Sequence, residues 1–229
     1  MDAERVEAIL TACEEALASS YRVDLRRLKF WQAVEAVKRH PDWVDRYAER
    51  IARIDRQAFE RATAFTLPPT FGVALLAMGT VIGVVLVLAT YVAPRRWKGG
   101  LVLAGTGVLL GATHDLAHFL VGRALGMRFS HLFLGGPLGL RPGLKTDYAT
   151  YLRTPPQARA WMHASGALVT KAVPFIVLSV TAATRVPSWA RLLLLGIGVV
   201  QIVTDVLFST RFSDWKRFRR ELRLARQVS

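Results

Sequence analysis

The segment Gly111-Ala112-Thr113-His114-Asp115-Leu116-Ala117-His118 sets two imidazoles four residues apart with a carboxylate between them. On a helix, residues i and i+4 share a face, so His114 and His118 can reach one metal ion while Asp115 stands beside it. The surrounding stretch is apolar enough to lie in a membrane, where ionisable groups are costly and mark function by default. Two histidines and one further carboxylate or histidine make a mononuclear zinc site that keeps one coordination position for water. The chain has five histidines, His40, His114, His118, His131 and His163. That set is too small for the histidine-rich di-iron centre of membrane desaturases.

The elements that must hold these groups follow from where the apolar residues lie. Of 229 residues, 52% are hydrophobic, and they concentrate after residue 66. Four windows, Leu67 to Ala93, Gly99 to Leu125, Pro156 to Thr184 and Ser188 to Ser209, each suffice to cross about 30 Å of hydrocarbon, which takes roughly 20 helical residues. Residues 1–66 instead show apolar positions at three- and four-residue steps. Examples are Val6, Ile9, Leu10, Cys13 and Leu17, then Leu25, Leu28, Trp31, Val34 and Val37, then Trp43, Tyr47, Ile51, Ile54 and Phe59. This pattern predicts amphipathic helices broken near Ser19-Ser20 and at His40-Pro41. The expected fold is therefore all-α and polytopic, with about four transmembrane helices. Its divisions are a soluble helical region at 1–66, a membrane-embedded core at 67–218 and a basic tail at 219–229.

The net charge of +14 suggests nucleic acid until it is located. Residues 1–66 carry 12 basic and 12 acidic side chains, so the whole excess belongs to the membrane part. There it fits anionic headgroups and topology, and no nucleic-acid partner is expected. Six basic residues in 121–160 and seven from Arg211 onward face five on the other side: Arg95, Arg96, Lys98, Arg185 and Arg191. By the positive-inside rule both termini are cytoplasmic, in the plasma (inner) membrane of the cell. The start Met1-Asp2-Ala3-Glu4-Arg5 predicts no cleaved signal, and the single cysteine, Cys13, excludes an internal disulfide or a cysteine-based zinc cluster.

Between the second and third windows, Met127 to Leu140 is too short and too rich in Gly and Pro for another span. Alternation of Arg128, Ser130 and Leu132 with Phe129, His131 and Phe133 predicts a short strand and a turn. Its backbone needs a partner, either its own return strand or a bound extended peptide. Counted from the Gly99 end, His114 and His118 lie about 15 to 19 residues in, roughly 22 to 28 Å along a helix. Asp205 lies at a similar depth counted from Ser188, and His163 enters from the opposite side to nearly the same level. Asp214 reaches the metal only if the chain bends back after Asp205, which the polar run Ser209-Thr210-Arg211 permits. Asp205 and Asp214 are thus alternative third ligands. Lys171, mid-span beside Pro174, is expected to snorkel or pair with an acid.

At this point the chain resembles the site-2 protease family of intramembrane zinc metalloproteases. His114-Asp115-Leu116-Ala117-His118 is similar to that family's His-Glu-x-x-His helix, and Met127 to Leu140 to the hairpin that follows it. Ser165-Gly166-Ala167-Leu168-Val169-Thr170 is similar to its Ala-Gly-Pro-x-x-Asn segment, with Thr170 at the asparagine position. The run Asp205 to Trp215 sits where the family has Asn-x-x-Pro…Leu-Asp-Gly, with Asp214 matching the metal-binding aspartate and Asp205 the asparagine. The order agrees across residues 99–218.

The resemblance implies a zinc metalloendopeptidase whose substrate is a membrane protein's transmembrane segment, unwound and added as a strand beside the hairpin. It implies Zn²⁺ on His114, His118 and Asp214, Asp115 as general base, and Asp205, Thr170 and His163 as substrate-contacting residues. Asp115 replaces a glutamate, drawing its carboxylate back by roughly 1 to 1.5 Å. That departure sustains an alternative: a catalytically impaired metal-binding scaffold or regulator of the same fold. A metal-dependent hydrolase acting on lipid is a third reading.

Overall fold

Asp2 starts the first helix by accepting a hydrogen bond from the Arg5 amide at 2.8 Å, which satisfies a donor that a helix start otherwise leaves orphaned. The computed structural model describes residues 1–135, 141–207 and 213–228. Helix α1 (Ala3–Ser19) buries Val6, Leu10, Cys13 and Leu17, the face its spacing predicts. The next pattern begins at Leu25, yet α2 (Phe30–Arg39) forms only five residues later. The Asp24 carboxylate takes the Arg26 amide at 2.9 Å and Lys29 adopts φ +59°; both are turn geometries that compete with a helix. Helix α3 (Pro41–Ala62) starts on a proline, whose fixed φ and missing N–H suit a first turn.

The remaining elements are β1 (Thr66–Leu67), α4 (Pro69–Leu88), α5 (Arg95–Ala124), β2 (Phe129–Gly135), β3 (Arg141–Thr146), α6 (Tyr148–Arg153), α7 (Pro156–Val180), α8 (Ser188–Leu207) and α9 (Asp214–Val228). The chain resolves into two compact units. One gathers residues 1–69, 122–159 and 220–229; the other holds 70–121 and 160–219.

In the first unit, α1, α2 and α3 share a core of Val6, Leu10, Phe30, Val34, Val37, Tyr47, Ile51 and Ile54, joined by Leu152 of α6. Arg50 of α3 clamps α1 through Glu7 and Glu14. The sheet runs β1-β2-β3, all antiparallel. Strand β2 thus finds its own return strand, and Thr66 and Leu67 pair with Phe133 and Leu132 on its other side. The expected alternation along β2 does not persist. Phe129 pairs with Thr146 but His131 pairs with Lys145, a bulge at Ser130. One extra residue reverses the parity, so Met127, Phe129 and then Leu132 are buried instead of His131. Of the strand and turn expected within Met127 to Leu140, residues 136–140 lie outside the described residues.

A buried charge cluster closes this unit. Glu221 of α9, 1% exposed, accepts from Lys38 of α2 at 2.6 Å, from Arg159 of α7 at 2.8 Å and from the Tyr151 hydroxyl at 3.2 Å. Arg159 also donates to the Leu152 carbonyl at 3.2 Å. Removing the carboxylate alone strands the buried Arg159 and leaves Lys38 only Glu35, at 3.6 Å; breaking a buried pair in this way costs about 3 to 5 kcal/mol in comparable cases.

Among the described residues, four helices, which supply most of the second unit, are long and apolar enough to cross a membrane: Pro69–Tyr91, Arg95–Ala124, Pro156–Ala183 and Ser188–Asp205. The first and third gain their last turns as 3₁₀ segments. The second helix begins earlier than the window expected from Gly99, because α5 is already helical at Arg95, directly after Pro94. Gly79 and Gly83 of α4 let α5 approach: a Cβ on Gly83 would lie 2.7 Å from Leu109, and one on Gly105 would lie 2.9 Å from the Gly83 carbonyl. Small residues four apart bring membrane helices this close because van der Waals contact is what joins them in lipid. The outward faces stay apolar, with Phe71, Met78, Val81 and Val85 on α4 and Leu192, Val199, Val200 and Val203 on α8 all exposed. Such a belt suits hydrocarbon and not water.

Candidate metal centre

Helix α5 presents His114 and His118 on one face, their ring centroids 4.8 Å apart at 88°. Helix α9 brings Asp214 as its first residue, its start capped where the Ser213 hydroxyl takes the Lys216 amide at 3.3 Å. A carboxylate at this position is also favoured by the helix dipole. The Nε2 atoms of both histidines lie 3.3 Å from the same oxygen, Asp214 Oδ2. The ligand atoms of these three residues fall within 4.8 Å of one another. Of the two candidate third ligands, then, Asp214 is the one the structure brings to the histidines; the bend at Ser209-Thr210-Arg211 lies outside the described residues.

The other ring nitrogens decide what the site can do. His118 Nδ1 is 2.7 Å from the Met162 carbonyl oxygen, which only accepts, so Nδ1 carries the proton. His114 Nδ1 is 2.8 Å from Thr170 Oγ1, and that hydroxyl already donates to the Gly166 carbonyl at 2.8 Å. Thr170 therefore accepts from His114 Nδ1–H. Each imidazole in its neutral form directs an Nε2 lone pair at Asp214, and three electron-rich atoms in one partly buried place call for a cation. A backbone carbonyl or hydroxyl fixing the remote nitrogen is the usual support of metal-ligating histidines. Where the imidazoles are instead protonated on Nε2 as well, their hydrogen bonds and charge outweigh the burial that raises the Asp214 pKa and hold this carboxyl well below the ordinary carboxylate range.

Gly166 is required by the same geometry. A Cβ there would lie 2.7 Å from Cδ2 and Cε1 of His118. Sequence reading noted this glycine only by resemblance; its cause is the passage of the imidazole across α7. Thr170, expected to contact substrate, holds His114. The Met162 carbonyl could not be foreseen, since any residue supplies one.

The remaining expected residues lie apart from the three ligands. Asp115, 8% exposed, follows His114 on the buried turn, but its carboxylate is not among the converging ligand atoms. Asp205 forms an ion pair with Lys171, whose ammonium also donates to the Ala167 carbonyl at 3.2 Å. His163 is buried on α7, outside the ligand group. The Lys171 ammonium stands 6.0 Å from the Trp215 ring, next in the chain to Asp214. Comparison with protein-family models, with characterised proteins and with solved structures finds no match for this chain.

Proposed function

We propose that this chain is a multi-pass membrane endopeptidase of the site-2 protease type, with Zn²⁺ held by His114, His118 and Asp214. The observation that carries the reading is the pair of Nε2 atoms, each freed by its Nδ1 partner, converging at 3.3 Å on one carboxylate oxygen. Bound there, zinc supplies a Lewis acid that makes water a competent nucleophile near neutral pH and polarises a peptide carbonyl. Asp115 accepts the proton lost by the attacking water as the new C–O bond forms. It returns that proton to the amide nitrogen as the C–N bond breaks. Thr170 and the Met162 carbonyl keep both rings in the tautomer the ligand role needs.

The substrate is a transmembrane segment of another membrane protein, locally unwound because an intact helix hides its peptide carbonyls. The positive-inside distribution puts both termini in the cytoplasm, with the protein in the plasma (inner) membrane. One observation favours a second reading, a metal-binding scaffold: Asp115 is a methylene shorter than the glutamate of active relatives of that family.

Elemental analysis of the purified protein should find about one zinc per chain, and a His118→Ala variant should have lost it. Equal, negligible zinc in both overturns the metal centre. Cleavage of a model transmembrane peptide, abolished by Asp115→Ala and retained by Asp115→Glu, supports the protease. If neither wild type nor Asp115→Glu cleaves any of a broad substrate panel, the scaffold reading stands instead.

A further inference from the structure

The metal centre uses only the first residue of α9, and the rest of that helix has a separate, unassigned surface. Its exposed residues are Lys216, Arg219, Arg220, Arg223, Arg226 and Gln227. At 100° per residue these occupy an arc of about 120°, and five of the six are basic. The opposite side is engaged: Glu221 and Leu224 are buried, and Glu221 is held by Lys38, Arg159 and Tyr151. The exposed stripe lies on the side of α9 away from those buried residues. Arg220 reaches Glu35 at 3.8 Å, whereas Lys216, Arg219, Arg223 and Arg226 have no ion-pair partner among the described residues.

A second observation points to the same ligand. Trp215 and Phe218, on the first turns of α9, stack at 5.1 Å, and Phe218 meets Trp161 at 5.7 Å. Trp161 is 51% exposed and stands at the sixth residue of the candidate span Pro156–Ala183. Tryptophan at a span's end belongs to the headgroup level, where its ring is neither in water nor in hydrocarbon. A basic stripe beside such an aromatic group is the surface of a helix lying in the membrane plane.

We propose that this face of α9 binds anionic phospholipid headgroups, with Lys216, Arg219, Arg223 and Arg226 pairing with their phosphates and Trp161, Trp215 and Phe218 seated at the interface. The four cations are spaced over three turns, too widely for one phosphate, so the ligand is a row of headgroups. The inference rests on the four helices being membrane spans, not on the metal or on catalysis. Retention in the membrane pellet after alkaline carbonate extraction tests that premise on its own.

The full-length protein in mixed micelles with equimolar phosphatidylglycerol and phosphatidylcholine, analysed by native mass spectrometry, gives the direct test. Wild type should retain the anionic lipid in preference by about fivefold or more at low salt, and lose the preference in 0.5 M NaCl. A Lys216→Gln, Arg219→Gln, Arg223→Gln, Arg226→Gln variant should bind both lipids near parity. A control with the same charge removed from exposed Arg5, Arg22, Arg27 and Arg39 should keep the wild-type ratio. No preference in wild type, an unchanged preference in the α9 variant, or an equal loss in the control each overturns the assignment. The salt dependence of wild type stands as a readout even where the fourfold variant fails to fold.

Discussion

Replacing Gly166 by alanine adds one methyl group and should remove the metal. The new Cβ would fall closest to His118 Nε2 and lie 2.7 Å from the two ring carbons beside it, so the ring must retreat by at least about 0.7 Å to bring even those carbons to ordinary contact near 3.4 Å. It cannot retreat freely, because His118 Nδ1 is tied to the Met162 carbonyl at 2.7 Å, on the same helix as Gly166. Zinc–ligand distances tolerate only about 0.2 Å. A displacement more than three times larger detaches the ligand or swings α7 away, and either should weaken zinc by about 100-fold, close to 2.7 kcal/mol. Competition with a chromophoric chelator, on detergent-solubilised protein, reads this directly. Gly107→Ala and Gly111→Ala are the controls, since a Cβ at either meets nothing within 4 Å and both lie on the helix carrying the histidines. They should leave zinc affinity unchanged and stabilise α5 slightly. Gly166→Ala binding zinc within about threefold of wild type, well short of the loss expected for a displaced ligand, would refute the clearance argument.

Thr170→Val removes the acceptor of His114 Nδ1 and should cost about tenfold in zinc affinity by the same assay, whereas Thr170→Ser should not. Lys171→Met strands Asp205 within the membrane part and should lower the unfolding temperature in detergent; the pair is a quarter exposed, so the loss should be about 1 to 2 kcal/mol. The double variant with Asp205→Asn should recover most of it, and a double variant less stable than the single would contradict the pairing. Burial, reinforced by Glu14, pushes the Cys13 thiol up to about 11. Its thiolate fraction at pH 7.5 is therefore on the order of 10⁻⁴ to 10⁻³, and a disulfide reagent should label it only on unfolding.

The features legible in the sequence are those set by local periodicity. The α1 face, the break at Pro41 and the four apolar windows follow from composition at fixed spacing, and so does the meeting of His114 and His118. What was not legible depends on partners distant in the chain. The bulge at Ser130 arises from pairing with β3 and reverses which side of β2 is buried. Whether Asp205 or Asp214 meets the histidines depended on Lys171, a residue that had no assigned acid until α7 and α8 were placed together.

The Glu221 cluster bears on how this protein is made. Lys38 and Glu221 are separated by 183 residues, and all four candidate membrane-crossing helices lie between them. At synthesis rates of 5 to 20 residues per second, Lys38 waits about 10 to 40 s for its carboxylate. The amino-terminal unit therefore completes its charge network only after all four of these helices have been translated. A chain that stalls before α9 leaves Arg159 without its carboxylate and Lys38 with only Glu35, at 3.6 Å, so completion of α9 is registered in the unit that emerged first.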